Sequence, residues 1–302
     1  MKQAKHMFII VLAAVGVIAA MMMGLKFAFS RMVSAAKPQL PAPIAPMQPA
    51  EVRVKVEERN AAPLENGAVV AASDAVAIVC GNGANVDRYE TRNGALRSIA
   101  RRRDLPKEDV AALMDYLAST KDAMRVERVA ALKNDVMNLL RNQEPPVEGL
   151  ADALIAMFDG GAHPPAVLDY CIQHLGAMQG GLNDTARRRV LAVLAMAAAR
   201  KGQSYAGTAL YSLAADRRAT PQQLEELKRL TLALCGPDAN PAARVAAIQL
   251  AGERGYAEAL PVLRKALSSP RRDAVLDIVA IGSVGLLGDS SDIPRLSHFI
   301  KR

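Results

Sequence analysis

Tryptophan is absent, and the few Phe and Tyr leave aromatics at only 4% of the chain. That removes a platform on which successive nucleic-acid bases would stack. Cysteine is scarce as well. Cys80, Cys171 and Cys235 are odd in number and far apart, so they supply neither a disulfide framework nor a zinc-ligand set. No Gly-rich phosphate loop, His-Glu-x-x-His or Gly-x-Ser-x-Gly occurs, which excludes the local signatures of the commonest nucleotide, zinc and serine chemistries. After Val86 no stretch alternates apolar and polar residues long enough to read as a half-buried strand.

Acids are missing from residues 1–50. That segment holds Lys2, Lys5, Lys26, Arg31 and Lys37, five of the eight net positive charges. The remainder is close to balance and steers little towards a polyanion. The basic character belongs mostly to the amino-terminal segment.

What the chain does have is aliphatic residues. Apolar side chains make up 51% of its 302 residues, carried by Ala, Leu, Val and Met, a composition that suits closely packed helices better than a sheet. Met7 to Leu25 (MFIIVLAAVGVIAAMMMGL) contains no charge. As a helix it would span roughly 28 Å, close to the hydrocarbon thickness of a bilayer. Basic residues flank it on both sides. A cleaved signal peptide with Val33-Ser34-Ala35 as its small-residue site is the rival reading, but the apolar run is longer than a usual signal core. The expectation is therefore a single-pass anchor after a short tail, residues 1–6, with the carboxy-terminal domain outside the cytoplasm. Gly16, Ala20 and Gly24 recur every fourth residue and would give that helix a smooth face for a second copy.

Ala36 to Pro49 (AKPQLPAPIAPMQP) is dense in proline, which favours an extended, semi-rigid spacer. We assign residues 26–85 to this linker and a weakly patterned continuation. Within it, Ala75 to Cys80 reads as a short strand or a first helical fragment, followed by a Gly81-Asn82-Gly83 turn.

From Arg92 onward the apolar residues keep helical spacing. Val110, Leu113, Met114 and Leu117 form one stripe, and Val129, Leu132, Val136, Leu139 and Leu140 form the next. Thr220-Pro221-Gln222-Gln223 has the composition of a capping box, and Asn240-Pro241 starts a helix in the same way. Stop signals fall at Gly149, Gly160-Gly161, Gly180-Gly181, Gly202, Gly236 and Gly255. Val190 to Ala199 is apolar all round and predicts an inner helix. Residues 86–302 read as an all-α domain of antiparallel hairpins.

Its end repeats. An offset of 33 positions sets Ala247 on Ala280, Ile248 on Ile281, Gly252 on Gly285, Gly255 on Gly288, Pro261 on Pro294 and Leu263 on Leu296. A fixed period of this size signals stacked supersecondary units. The two units resemble HEAT-like repeats of the short bacterial kind. In those, an Ala-rich first helix ends at Gly and Leu-Pro-x-Leu opens the second, as at Leu260, Pro261 and Leu263 and again at Ile293, Pro294 and Leu296. The match covers residues 243–300. Tetratricopeptide and ankyrin units share the period, but their marker residues are missing. The resemblance implies an α-solenoid with a long binding surface. Being last, this unit should also cap the array, with Asp289, Asp292, His298 and Lys301 as polar cover.

Chemistry-bearing candidates are few. Cys171 and His174 share a helical face, with His163 upstream; a buried thiol and a hydrogen-bonded imidazole is the plainer account. Arg101, Arg102, Arg187, Arg188, Arg217 and Arg271 belong to basic clusters near helix ends and could meet an anionic partner. No catalytic residue, metal ligand or cofactor is assigned. The reading is a membrane-anchored, non-enzymatic scaffold for a protein partner. Its alternatives are a ligand-binding protein or enzyme with a pocket among residues 92–240, and a binder of nucleic acid or anionic surfaces. HEAT-like families do include enzymes, bilin lyases and alkylpurine glycosylases among them; the missing tryptophan and the anchor argue against both.

Overall fold

The computed structural model describes residues 72–269 and 273–300, and these are all helix, turn and loop. The expected anchor, its Gly16, Ala20 and Gly24 face, the proline-rich spacer, Arg271 and Lys301 lie outside the described residues. Among the described residues no helix is long and apolar enough to cross a membrane.

The helices are α1 (Ala72–Val79), α2 (Tyr89–Ile99), α3 (Lys107–Ala118), α4 (Val126–Arg141), α5 (Leu150–Gly160), α6 (Pro165–Met178) and α7 (Asp184–Ala199). They continue as α8 (Tyr205–Ala214), α9 (Pro221–Leu234), α10 (Pro241–Glu253), α11 (Leu260–Leu267), α12 (Ala274–Leu287) and α13 (Ile293–Ile300). The ambiguous run before Cys80 is thus the helix α1. It buries Val76 and Val79 and packs on α2 and α3, so described helix begins inside the stretch assigned to the linker.

Local chemistry sets several helix ends. Thr220 and Gln223 exchange side-chain and backbone bonds in a capping box, and the Asn240 side chain accepts from the Ala242 amide. Gly255 sits at φ 72°, and the Tyr256 amide reaches back to the Ala251 carbonyl, closing α10 as only a residue free of Cβ does readily. Its repeat partner Gly288 has φ −79°, so the two units end differently. Gly149, expected as a stop, instead precedes α5 at φ 77°.

Pairing follows chain order. Each helix of α1 to α10 packs on at least one neighbour in sequence and on the helix two places away, although α2 with α3 and α4 with α5 make no comparable contact. Two rows result: α2, α4, α6, α8, α10 and α12 in one, and α1, α3, α5, α7 and α9 in the other. One aliphatic core runs between the rows, from Val76 through Leu117, Leu154, Leu194 and Leu230 to Val284.

Helices of the even row approach closely where small residues meet. A Cβ on Gly176 of α6 would collide with Ser212 of α8. One on Gly207 of α8 would lie 2.8 Å from the Cβ of Ala246 in α10, and one on Gly252 of α10 would lie 3.0 Å from the Cα of Ser283 in α12. Ser283 then donates to the Ile248 carbonyl at 2.9 Å. Further polar ties bridge elements about one repeat apart. Gln143 bonds the Arg102 carbonyl 41 residues away, Gln179 bonds the Ser212 carbonyl 33 residues away, and Arg264 grips Asp292 28 residues away.

The close approach makes a prediction. A Cβ added to Gly94, exposed in α2, would meet nothing within 4 Å, so Gly94→Ala should gain up to about 1 kcal/mol from helix propensity. Gly252→Ala should instead lose about 1 to 3 kcal/mol by overpacking against Ser283. Urea unfolding of both variants reads the two signs, and equal gains would contradict the account.

Candidate functional site

The clusters around Arg101, Arg187 and Arg217 come to one edge of the stack. The Glu144 amide bonds the Arg103 carbonyl at 2.7 Å, so the α2–α3 and α4–α5 loops adjoin. Arg189 at the start of α7 pairs with Asp152 at the start of α5. Arg218 after α8 donates to the Gln179 carbonyl at 3.1 Å, and Arg254 after α10 donates to the Ala214 carbonyl. The edge is not a cationic strip, however. Acids are interleaved: Arg103 pairs with Glu144, and Arg218 with Asp184. Arg187, proposed as a contact for an anion, is buried against Asp216 and is spent inside the fold. Arg101, Arg102, Arg188 and Arg217 are exposed.

Cys171 and His174 do share a face of α6, but the face is internal. Cys171 is 0% exposed, and burial pushes its thiol up to about 12, with Lys133 a weaker opposing influence. Burial, aided by the Arg141 charge, holds His174 down to about 4. A thiolate–imidazolium pair needs both shifts reversed. His174 is neutral, and its Nε2 lies 3.2 Å from the Asn134 Oδ1. Among the described residues no group of His, Cys, Asp and Glu could hold a metal ion.

Lys133 does not stand out in the sequence, because it interrupts an ordinary amphipathic stripe. It is among the largest fully buried side chains. Its Nζ donates to the Leu117 carbonyl at 2.7 Å and to the Ser119 carbonyl, satisfying the end of α3, and burial lowers it to about 8. A buried amine with a lowered pKa is a reasonable functional candidate. Here both bonds go to backbone oxygens and the group is closed off from solvent, so it works as an internal cap.

One feature with room for a partner is a groove of about 430 Å³ between α7 and α9. Leu191, Ala192 and Ala195 form one wall, and Leu224 and Leu227 the other. Arg188, Gln222 and Glu226 stand at its rim. Helix α7, expected as an inner helix covered on several sides, leaves Ala192, Met196 and Ala199 as an exposed stripe. Leu224 remains 42% exposed. A smaller cleft of about 140 Å³ lies between α2 and α4, lined by Asn93, Arg97, Asp135 and Asn138.

Comparison with protein-family models, curated proteins and solved structures finds no match to this chain.

The neutral His174 carries a pH signature. The free imidazole titrates near 6.5 and the folded one near 4, so the unfolded chain binds the extra proton between those values. Stability is held above pH 6.5 and falls as the pH drops towards 4, by an amount on the order of 3 kcal/mol from this residue. Chemical unfolding at pH 7 and pH 4.5 should show this loss shrinking in His174→Gln. An unchanged loss would contradict the assignment.

Proposed function

We propose that this protein is a membrane-anchored, non-enzymatic scaffold whose helical stack is an α-solenoid of the HEAT-like kind and binds a protein partner. The observation that carries the reading is the groove between α7 and α9, an apolar channel with a polar rim on the surface of one continuous core. Stacked hairpins that contact only near neighbours leave long faces of this type, and repeat proteins bind through them. The aliphatic floor fits the apolar side of a partner helix or an extended segment, with Arg188 and Glu226 available to set its direction. The anchor reading of Met7 to Leu25 supplies the membrane attachment and the proline-rich segment the distance from the bilayer. The same reading places the folded domain outside the cytoplasm.

A second reading shares the site. The groove falls within residues 92–240, the region of the alternative ligand-pocket reading, and its volume is in the range used for small molecules. An apolar ligand held there would make the protein a carrier or sensor. Binding of nucleic acid or an anionic surface has weaker support, since the arginine edge is laced with acids.

Both readings are separated by purifying the full chain from solubilised membranes beside Leu224→Asp. We expect a stoichiometric protein with the wild type, reduced at least several-fold by the variant, with the helical circular-dichroism signal unchanged. Release of a small molecule from the wild type alone would favour the second reading. A partner held equally by both would place the binding surface away from the groove.

A further inference from the structure

The groove between α7 and α9 has a direction. Arg218, just before α9, pairs with Asp184 at the start of α7, so both helices begin at one end of it. That end carries Arg188, Asp216 and Gln222, and the apolar walls continue from there through Leu191, Ala195 and Leu227. Helices of the even row close on one another through glycine. Neither α7 nor α9 contains one, and the two meet only lightly, which leaves the channel open.

The acids at the rim are already answered. Asp216 is held by buried Arg187 and by the Arg218 amide. Glu226 accepts from the Nε and Nη2 of Arg229 at 2.7 and 2.6 Å. Arg188 is not answered. It is exposed, its Nη2 meets the Thr185 hydroxyl at 3.3 Å, and among the described residues it pairs with no carboxylate. The amino-terminal dipoles of α7 and α9 add positive potential at the same end. The uncompensated charge of the groove is therefore positive.

The walls also select the conformation of the occupant. Leu191, Ala192, Ala195, Leu224 and Leu227 offer no hydrogen-bonding side chain. An extended segment would leave backbone N–H and C=O groups unmatched along them, whereas a helix satisfies its own. From Arg188 to Ala195 the wall is about 10 Å long, about two helical turns.

We propose that the groove takes an amphipathic helix of the partner with a carboxylate one turn from its apolar anchors, and that this carboxylate meets Arg188. The inference rests on the reading of the groove as the partner surface and adds the chemistry of the partner. Two apolar side chains at i and i+4 fill the channel between the leucine walls, and the acid fixes which way the helix runs. An exposed ion pair of this kind contributes direction and a salt-dependent preference more than raw affinity.

Disulfide capture on the full chain reads this even where binding is weak. Met196→Cys places a thiol on α7 just past Ala195. Two thiol peptides compete for it, sharing one Leu-and-Ala helical face and differing only in Glu or Lys one turn from the anchors. Capture at position 196, read by mass spectrometry, should favour the Glu peptide about 5-fold at low salt. The preference should vanish in Arg188→Gln and reverse in Arg188→Glu, and Leu224→Asp should reduce capture of both peptides several-fold. Equal capture of the two peptides, or a preference that survives Arg188→Glu, overturns the acidic-helix proposal while leaving the groove as a partner surface. Capture of both that Leu224→Asp does not lower overturns the reading of the groove itself.

Discussion

Close approach between helices of the even row is the constraint on which this structure depends. Gly176, Gly207 and Gly252 each stand where a Cβ would strike the next helix of that row. Backbones that near to one another bring long apolar side chains from both rows into one core, and dispersion and burial act over its whole length. Such a row has no centre: each helix depends on the ones beside it. The same kind of small residue recurs on α12, where a Cβ at Gly282 or Gly285 would meet nothing within 4 Å.

Polar groups serve this stacking more than they serve chemistry. Arg92 joins the end of α1 to Asp122, Arg187 holds Asp216, and Lys133 closes α3. Each of these three buried cations is paired with a carboxylate or bonded to carbonyl oxygens, as a low-dielectric interior demands. Of the arginines that look like a basic footprint in the sequence, Arg103, Arg187, Arg189 and Arg218 are joints between hairpins. What remains for a partner is apolar surface, in the α7–α9 groove and on α12.

Much of the helical body was legible from residues alone, where a local interaction decides the outcome. Thr220, Asn240 and Gly255 act within a few positions of themselves, and the structure places them as the sequence indicates. Features that depend on a distant neighbour were not legible. An all-apolar helix such as Val190 to Ala199 can be inner or can wall a groove, and periodicity does not distinguish them. Gly149 is a turn glycine on either side of a helix end. Arg187 and Asp292 read as surface charges until their partners, 29 and 28 residues away, are known. The run before Cys80 is too short for its period to choose between strand and helix.

The central claim is that stability passes from helix to helix along the even row through these close approaches. Hydrogen exchange measured amide by amide on Gly207→Val tests it most directly, because Gly207 sits where α8 meets α10. The predicted result is faster exchange in α8, α10 and the helices beside them, with α1 to α4 keeping their protection. A uniform loss of protection from α1 to α12 would contradict it.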